Sequence, residues 1–360
     1  MIISRTPFRI SFFGGGTDYH TWYEKHGGAV LSTTINHHCY ITVRPLPPFF
    51  AGKSRVVWSK IELVEDNADI GHPAVRGVLQ HLGIDQGLEI HHHGDLPARS
   101  GLGSSSSFTV GLLNAMYAMK NTMTNKRQLA CEAVHVERSI LKENVGVQDQ
   151  IAAAYGGFNK IMLQPNGDFI VEPVIISQER FQSLQDHCLM FFTGVSRTAS
   201  DIAKQQIESA QDKKTELYTM RQLVDEALTV LTTGADLKEF GGLLDESWRL
   251  KRSLSSKISP GFIDDMYDAA RKAGAYGGKL LGAGGGGFLL FFARPEDHAA
   301  IKKKLNDLLH VPFKFEPAGS SIIFYEPPSY SATSLERRDF YHLREQNLEA
   351  AQATFPIEAA

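Results

Sequence analysis

Residues 88–119 read Leu88-Glu-Ile-His-His-His-Gly-Asp-Leu-Pro97-Ala-Arg-Ser-Gly101-Leu-Gly103-Ser104-Ser105-Ser106-Ser107-Phe108-Thr-Val-Gly-Leu-Leu-Asn-Ala-Met-Tyr-Ala-Met119, a strand, a loop and a helix in succession. Leu88, Ile90 and His92 alternate with Glu89, His91 and His93 until Pro97 ends the strand. Phe108, Leu112, Leu113 and Met116 recur at helical spacing, and the serines before them supply N-cap residues. The loop between has no bulk to bury, so what it offers is backbone N–H groups and hydroxyls. That suits a polyphosphate. Glycine lets the backbone approach closely, the free N–H groups at a helix start point at the ligand, and the helix dipole favours negative charge there. A serine hydroxyl at the same place reaches a phosphate-bound Mg²⁺, which takes oxygen ligands. A flexible linker is the plainer reading of a Gly/Ser run, but the strand and helix that bracket it count against that.

Composition narrows the partners. A chain of 360 residues has two domains as its first expectation, and 21% charged with 42% hydrophobic residues is a globular balance. With a net charge of -3 and neither a basic stripe nor a basic amphipathic helix, the expected ligands are small molecules, with no nucleic acid and no membrane among the partners. Cys39, Cys131 and Cys188 are odd in number and far apart, outside any disulfide or zinc spacing. The N-terminus lacks a signal-like apolar core, and the longest apolar run, Phe288 to Ala293, is too short to span a bilayer, so a cytoplasmic location is expected.

Outward from the central stretch, Ile2-Ile3 and then Phe8, Ile10 and Phe12 predict early strands broken near Pro7. They end at Gly14-Gly15-Gly16-Thr17-Asp18, where the backbone bends sharply or a ligand comes close. Asp18 is as readily a helix cap as a ligand for hydroxyls. Strands are expected at 29–35 and 40–44, joined through Asn36-His-His, and helices over 73–82 and 126–142. Strands followed by helices make an α+β layer. From residue 181 a strand at 188–192, long helices over 200–231 and 237–252, and a glycine run at 282–287 that opens a strand predict a second α+β domain ending near 326. Gly282 to Gly287 spells G-x-G-x-x-G, but that dinucleotide fingerprint needs a helix after the glycines, and here a strand follows. Gly52-Lys53-Ser54 resembles the end of a Walker A loop whose first glycine would fall on Pro47, so it fails too. A glycine loop in each half suggests closure over a ligand between domains.

Pro97 to Ser107 fits the motif P-x-x-x-G-L-x-S-S-A-[AS] with Ser106 in place of alanine, and with Pro7-Phe-Arg9 before it and 282–287 after it the chain resembles the GHMP kinase superfamily over residues 1–326. The resemblance implies a two-domain fold: a ribosomal protein S5 domain 2-like N-terminal domain over 1–180, a ferredoxin-like C-terminal domain over 181–326, and an extension of undetermined role over 327–360. Gly-Gly-Gly-Thr17-Asp18, Val147-Gln-Asp149-Gln150 and Ser247-Trp248-Arg-Leu-Lys251-Arg252 are most similar to the bacterial D-glycero-D-manno-heptose 7-phosphate kinases within that superfamily. Those enzymes transfer the ATP γ-phosphate to the anomeric hydroxyl, giving the 1,7-bisphosphate.

By that resemblance Pro97, Gly101, Leu102, Gly103, Ser104, Ser105 and Ser106 bind ATP, Ser105 and Glu137 hold Mg²⁺, Asp149 receives or orients the attacking hydroxyl, and Arg9 stabilises charge at the transferred phosphate. Gly15, Gly16, Thr17, Asp18, Gly284 and Gly285 are assigned to the sugar, and Arg197, Lys251 and Arg252 to a phosphate at its far end. Plainer readings stand beside these: a solvated helix face for Glu137, a helix cap for Asp149, a strand-edge charge for Arg9, and solvated or dipole-complementing cations for the last three. The histidines at 91–93 and 37–38 point to alternating strand faces and do not converge as metal ligands. Three functions remain in view: the heptose 7-phosphate kinase, another monosaccharide 1-kinase of the fucose, arabinose or galactose type, and a non-catalytic sugar or nucleotide sensor. The partners expected are ATP and a sugar phosphate, with a homodimer left open.

Overall fold

The computed structural model describes residues 1–47, 50, 52–195, 199–209, 212–255 and 257–326. The extension over 327–360 and Arg197 lie outside the described residues. Among the described residues the first sheet holds eight strands: β1 (Ile2–Phe13), β2 (Gly28–Pro45), β3 (Ser54–Val57), β4 (Ile61–Val64), β5 (Leu88–Gly94), β6 (Phe158–Leu163), β7 (Phe169–Pro173) and, from the far end of the chain, β12 (Ser321–Tyr325). The second holds β8 (Cys188–Phe192), β9 (Gly277–Leu280), β10 (Phe288–Phe292) and β11 (Leu309–His310), in the order β11-β8-β10-β9 and antiparallel throughout.

Two strands run further than their sequence suggests. Pro7 does not break β1; the ladder to β2 steps past it with a register shift between Pro7 and Phe8, which absorbs the missing N–H. β2 continues straight through Asn36-His37-His38, and its two ends find different partners, β6 for 28–33 and β5 for 39–45. The expected helix over 200–231 is instead two, Ala199–Ser209 and Lys214–Thr233.

The helix Ser104–Met119 lies against β1 and β2 and is buried almost all round. Phe108, Leu112, Leu113 and Met116 are inside, each contributing about 1.5–3 kcal/mol by leaving water. Its N-cap is not a serine: Gly103, at φ +74°, turns the chain into the helix, and the serines occupy the first turn. Among the described residues, the larger of two hydrophobic cores spans both halves. Phe12 and Phe13 of β1 meet Phe240 edge to face at 5.6 and 5.1 Å, and Phe240 in turn packs on Phe292 at 5.1 Å. The chain end also crosses back. β12, in the stretch assigned to the second domain, pairs with β1 in the first sheet.

Candidate active site

The glycine loops of the two halves touch backbone to backbone. A side chain at Gly101 would come 2.4 Å from the carbonyl oxygen of Leu281, and one at Gly287 would come 2.1 Å from that of Ser100. Only glycines permit this approach, and Gly101 also sits at φ +85°. Beside the seam opens a cleft of about 310 Å³, lined by Gly101, Gly103 and Ser104–Ser106 on one side, Gly15, Gly16 and Asp18 on another, and Lys251, Lys279, Gly282 and Ala283 from the second half. The first intrahelical bond is Ser107 N–H to the Gly103 carbonyl, so the N–H groups of Ser104, Ser105 and Ser106 are free of it at the helix N-terminus, where an anion is favoured.

Arg9 and Asp149 meet next to Gly103. Arg9 Nε donates to Asp149 Oδ1 at 2.7 Å and Nη2 to Oδ2 at 2.8 Å, while Nη1 donates to the Gly101 carbonyl at 2.7 Å. Arg9 is thus no strand-edge charge. Its β1 position is only 3% exposed, and its fork fixes the carboxylate. Nor is Asp149 a helix cap: it lies in the first turn of the Gln148–Tyr155 helix, whose N-cap is Val147, and its side chain turns to the cleft.

Asp18 is buried and faces the same space. Burial pushes its carboxyl up, the Gly16 N–H at 2.9 Å pulls the other way, and the nearby Asp149 charge raises it again. Thr17 turns inward instead: its hydroxyl donates to the Gly14 carbonyl at 2.8 Å and accepts from Ala29 N–H at 3.2 Å, so it shapes the loop and does not face the cleft.

Glu137 sits on a single π-helical turn, Val136–Ile140, that ends the Lys126–His135 helix, and it is fully buried. The solvated-face reading fails on that burial. Desolvation, with the charge of Glu143 adding to it, pushes its carboxyl up to about 7. Oε2 accepts from Ser106 Oγ at 2.9 Å and Gln150 Nε2 at 2.6 Å, and Oε1 is buried with no hydrogen-bond partner among the described residues. An orphaned carboxylate oxygen beside a hydroxyl, at the foot of an anion loop, fits a hard cation such as Mg²⁺. The hydroxyl on Glu137 is that of Ser106, however, not Ser105, which is exposed at the cleft. One residue along the first turn rotates the side chain from the inner face to the outer one.

Several other assignments change place. Pro97 is exposed and accepts the Ser100 hydroxyl at 2.7 Å, and Leu102 is buried in the core with its carbonyl on Arg9 N–H at 3.0 Å; both shape the loop without lining the cleft. Gly284 is pressed on the Ile258 backbone, and Gly285 N–H is bonded to the Ile258 carbonyl at 2.9 Å, so the glycine run meets the cleft at Gly282 and not at 284–285. Arg252 pairs with Asp264 at 3.1 Å, away from the cleft. Lys251 does line it, buried, donating to the carbonyls of Leu280, at 3.1 Å, and Gly282. Burial, and then the charge of Arg9, bring its ammonium down to about 7.

Lys279, Arg99, Glu143 and Gly146 line the cleft as well, and the sequence reading passes over them. Lys279 left a signal: an isolated charge inside an apolar strand is a buried cation with a partner, here the Phe12 carbonyl at 2.8 Å. The other three sit in loops, where sequence carries no such contrast.

Two family models match the chain, the GHMP kinases N terminal domain over residues 70–157 and the GHMP kinases C terminal over 226–310. The chain is 29% identical over 327 residues to a D-glycero-alpha-D-manno-heptose 7-phosphate kinase of Campylobacter jejuni, covering 84% of this chain and 93% of the relative. It is 26% identical to a galactokinase of Pyrococcus furiosus, over 79% of this chain and 87% of that one. Its fold is similar, with a TM-score of 0.74 and 24% identity over 93% of this chain and all of the other, to a D-glycero-D-manno-heptose 1-phosphate kinase from Bacteroides thetaiotaomicron. The glycine-serine loop and the helix that carries Asp149 fall in the first matched segment and Lys251 and the second glycine loop in the other, so this chain is built from the N-terminal and C-terminal domains of the GHMP kinases and is an ATP-dependent sugar kinase.

Proposed function

We propose that the protein transfers the γ-phosphate of ATP to the anomeric hydroxyl of D-glycero-D-manno-heptose 7-phosphate, yielding the 1,7-bisphosphate and ADP. The observation that carries it is the convergence, in one cleft, of a helix N-terminus suited to phosphates, the Arg9–Asp149 pair and the buried Asp18 carboxylate. The heptose kinase of C. jejuni, alike over most of both chains, supports the choice of sugar.

Each residue then has a task. The N–H groups of Ser104–Ser106 hold the triphosphate, and Asp18 accepts hydrogen bonds from sugar hydroxyls. Asp149, oriented by Arg9, takes the proton of the anomeric hydroxyl as its oxygen forms the new P–O bond, and the bond to the β-phosphate oxygen breaks to release ADP. Glu137 with the Ser106 hydroxyl beside it would hold Mg²⁺, which neutralises charge on the phosphates when bound. Lys251, which lines the cleft, would meet the phosphate of the sugar.

A second reading is a 1-kinase for an unphosphorylated monosaccharide. It is favoured by the state of the distal cations: Arg252 is turned to Asp264, and the Lys251 ammonium is bonded to two backbone carbonyls. ADP release with ATP and Mg²⁺ against mannose, fucose, galactose and heptose 7-phosphate, with ³¹P NMR to locate the new phosphate, decides between them. Turnover of the heptose 7-phosphate alone, with an anomeric phosphate gained, supports the first; preference for a free sugar supports the second; nucleotide binding without turnover of any sugar leaves a sensor.

A further inference from the structure

Four cationic side chains line the cleft among the described residues: Arg9, Arg99, Lys251 and Lys279. Three are engaged. Arg9 has its fork on Asp149 and its remaining edge on Gly101, Lys251 donates to Leu280 and Gly282, and Lys279 donates to Phe12. Arg99 differs. It is exposed at the cleft wall, and among the described residues its guanidinium makes no hydrogen bond or ion pair.

Its backbone is unusual as well. Arg99 adopts φ +58°, a left-handed conformation that strains any side chain and that glycine takes freely. Its N–H donates to Ser104 Oγ at 3.2 Å, which ties this strained residue to the first turn of the Ser104–Met119 helix. Strain of this kind collects where a side chain has to be aimed. Glu143 lines the same cleft, and its half-buried carboxyl is pushed up by burial and drawn down by the Arg99 charge. A guanidinium with no hydrogen bond of its own among the described residues therefore lines the same cleft as the N–H groups of Ser104–Ser106.

We infer that Arg99 is a ligand of the terminal phosphate of the bound nucleotide, closing over it from the loop that cradles it. This rests on the kinase reading above. A planar fork matches two phosphate oxygens at once, and a permanent cation there stabilises the charge that spreads over the transferred group. The assignment is to the nucleotide and not to the sugar's phosphate because Arg99 belongs to the anion loop itself, whereas Gly15, Gly16, Asp18 and Lys251 approach from other elements.

Calorimetric binding of ATP, ADP and heptose 7-phosphate to the wild type and to Arg99→Gln, Arg99→Lys and Arg99→Gly, with the melting temperature followed in each, tests it. Arg99→Gln is expected to weaken ATP about tenfold or more and ADP far less, with sugar phosphate unchanged. Arg99→Lys keeps part of the ATP affinity. Arg99→Gly relieves the backbone, melts no lower than the wild type, and still loses ATP as the glutamine variant does. Unchanged ATP affinity in the glutamine and glycine variants overturns the assignment, as do equal losses for ATP and ADP or a loss confined to the sugar phosphate. A wild type that binds neither nucleotide removes the kinase reading and this assignment together; a wild type that binds both, with a silent Arg99→Gln, removes only the assignment.

Discussion

Arg9 and Asp149 form a bidentate pair, 2.7 Å from Nε to Oδ1 and 2.8 Å from Nη2 to Oδ2, between a strand that opens the chain and a helix 140 positions later. Because both carboxylate oxygens are held, the orientation of Asp149 is set before substrate arrives. Replacing it with asparagine keeps the shape and removes the carboxylate proposed to accept the proton. Asp149→Asn is expected to lower kcat about a hundred- to ten-thousand-fold with ATP affinity within a few-fold of wild type; steady-state kinetics with a nucleotide titration checks both. Turnover that survives Asp149→Ala would remove Asp149 from the base role.

Gly146 lies directly against the Asp18 carboxylate. A Cβ there would come 1.9 Å from Asp18 Oδ2, so Gly146→Ala has to displace the carboxylate or its own loop. Loss of well-made hydrogen bonds to a charged group is worth about 1.5–3 kcal/mol, and KM for the sugar is expected to rise about ten- to a hundredfold while KM for ATP stays. A rise in the ATP value alone would place Asp18 on the wrong substrate.

Ser105 and Ser106 separate the two readings of the metal. The resemblance points to Ser105, and the geometry joins Ser106 to Glu137 at 2.9 Å. Mn²⁺ affinity of the nucleotide complex, followed by electron paramagnetic resonance, is expected to fall about tenfold in Ser106→Ala and to change little in Ser105→Ala, since partners of a metal carboxylate commonly contribute that much. The reverse pattern restores Ser105 as the ligand.

Lys251 makes stability depend on pH. Its ammonium titrates near 7 in the fold and near 10.5 when unfolded, so between these values the unfolded chain binds the extra proton. Stability of the free protein should therefore rise with pH from about 7 toward 10, and lie on its lower level below 7. Lys279, lowered further by its burial and by Lys251, acts in the same direction. Lys251→Met is expected to flatten part of the slope in melting temperature against pH; an unchanged slope would show that the ammonium is not desolvated.

Local sequence determined what depends on neighbours along the chain. The strand–loop–helix of 88–119 is legible because alternation, glycines and helical spacing follow one another there, and the rejection of a dinucleotide site at 282–287 needed only the strand that follows, β10. Motif resemblance carried Arg9, Asp149, Asp18 and Glu137 as separate assignments. Tertiary structure decided how they are used. That Arg9 faces Asp149, that a π-turn buries Glu137 against Ser106, that Arg252 leaves the cleft while Lys279 enters it, and that β12 returns to β1 all depend on contacts between residues far apart in sequence. A residue's type sets which bonds it can make; only the packed chain sets which partner is within reach.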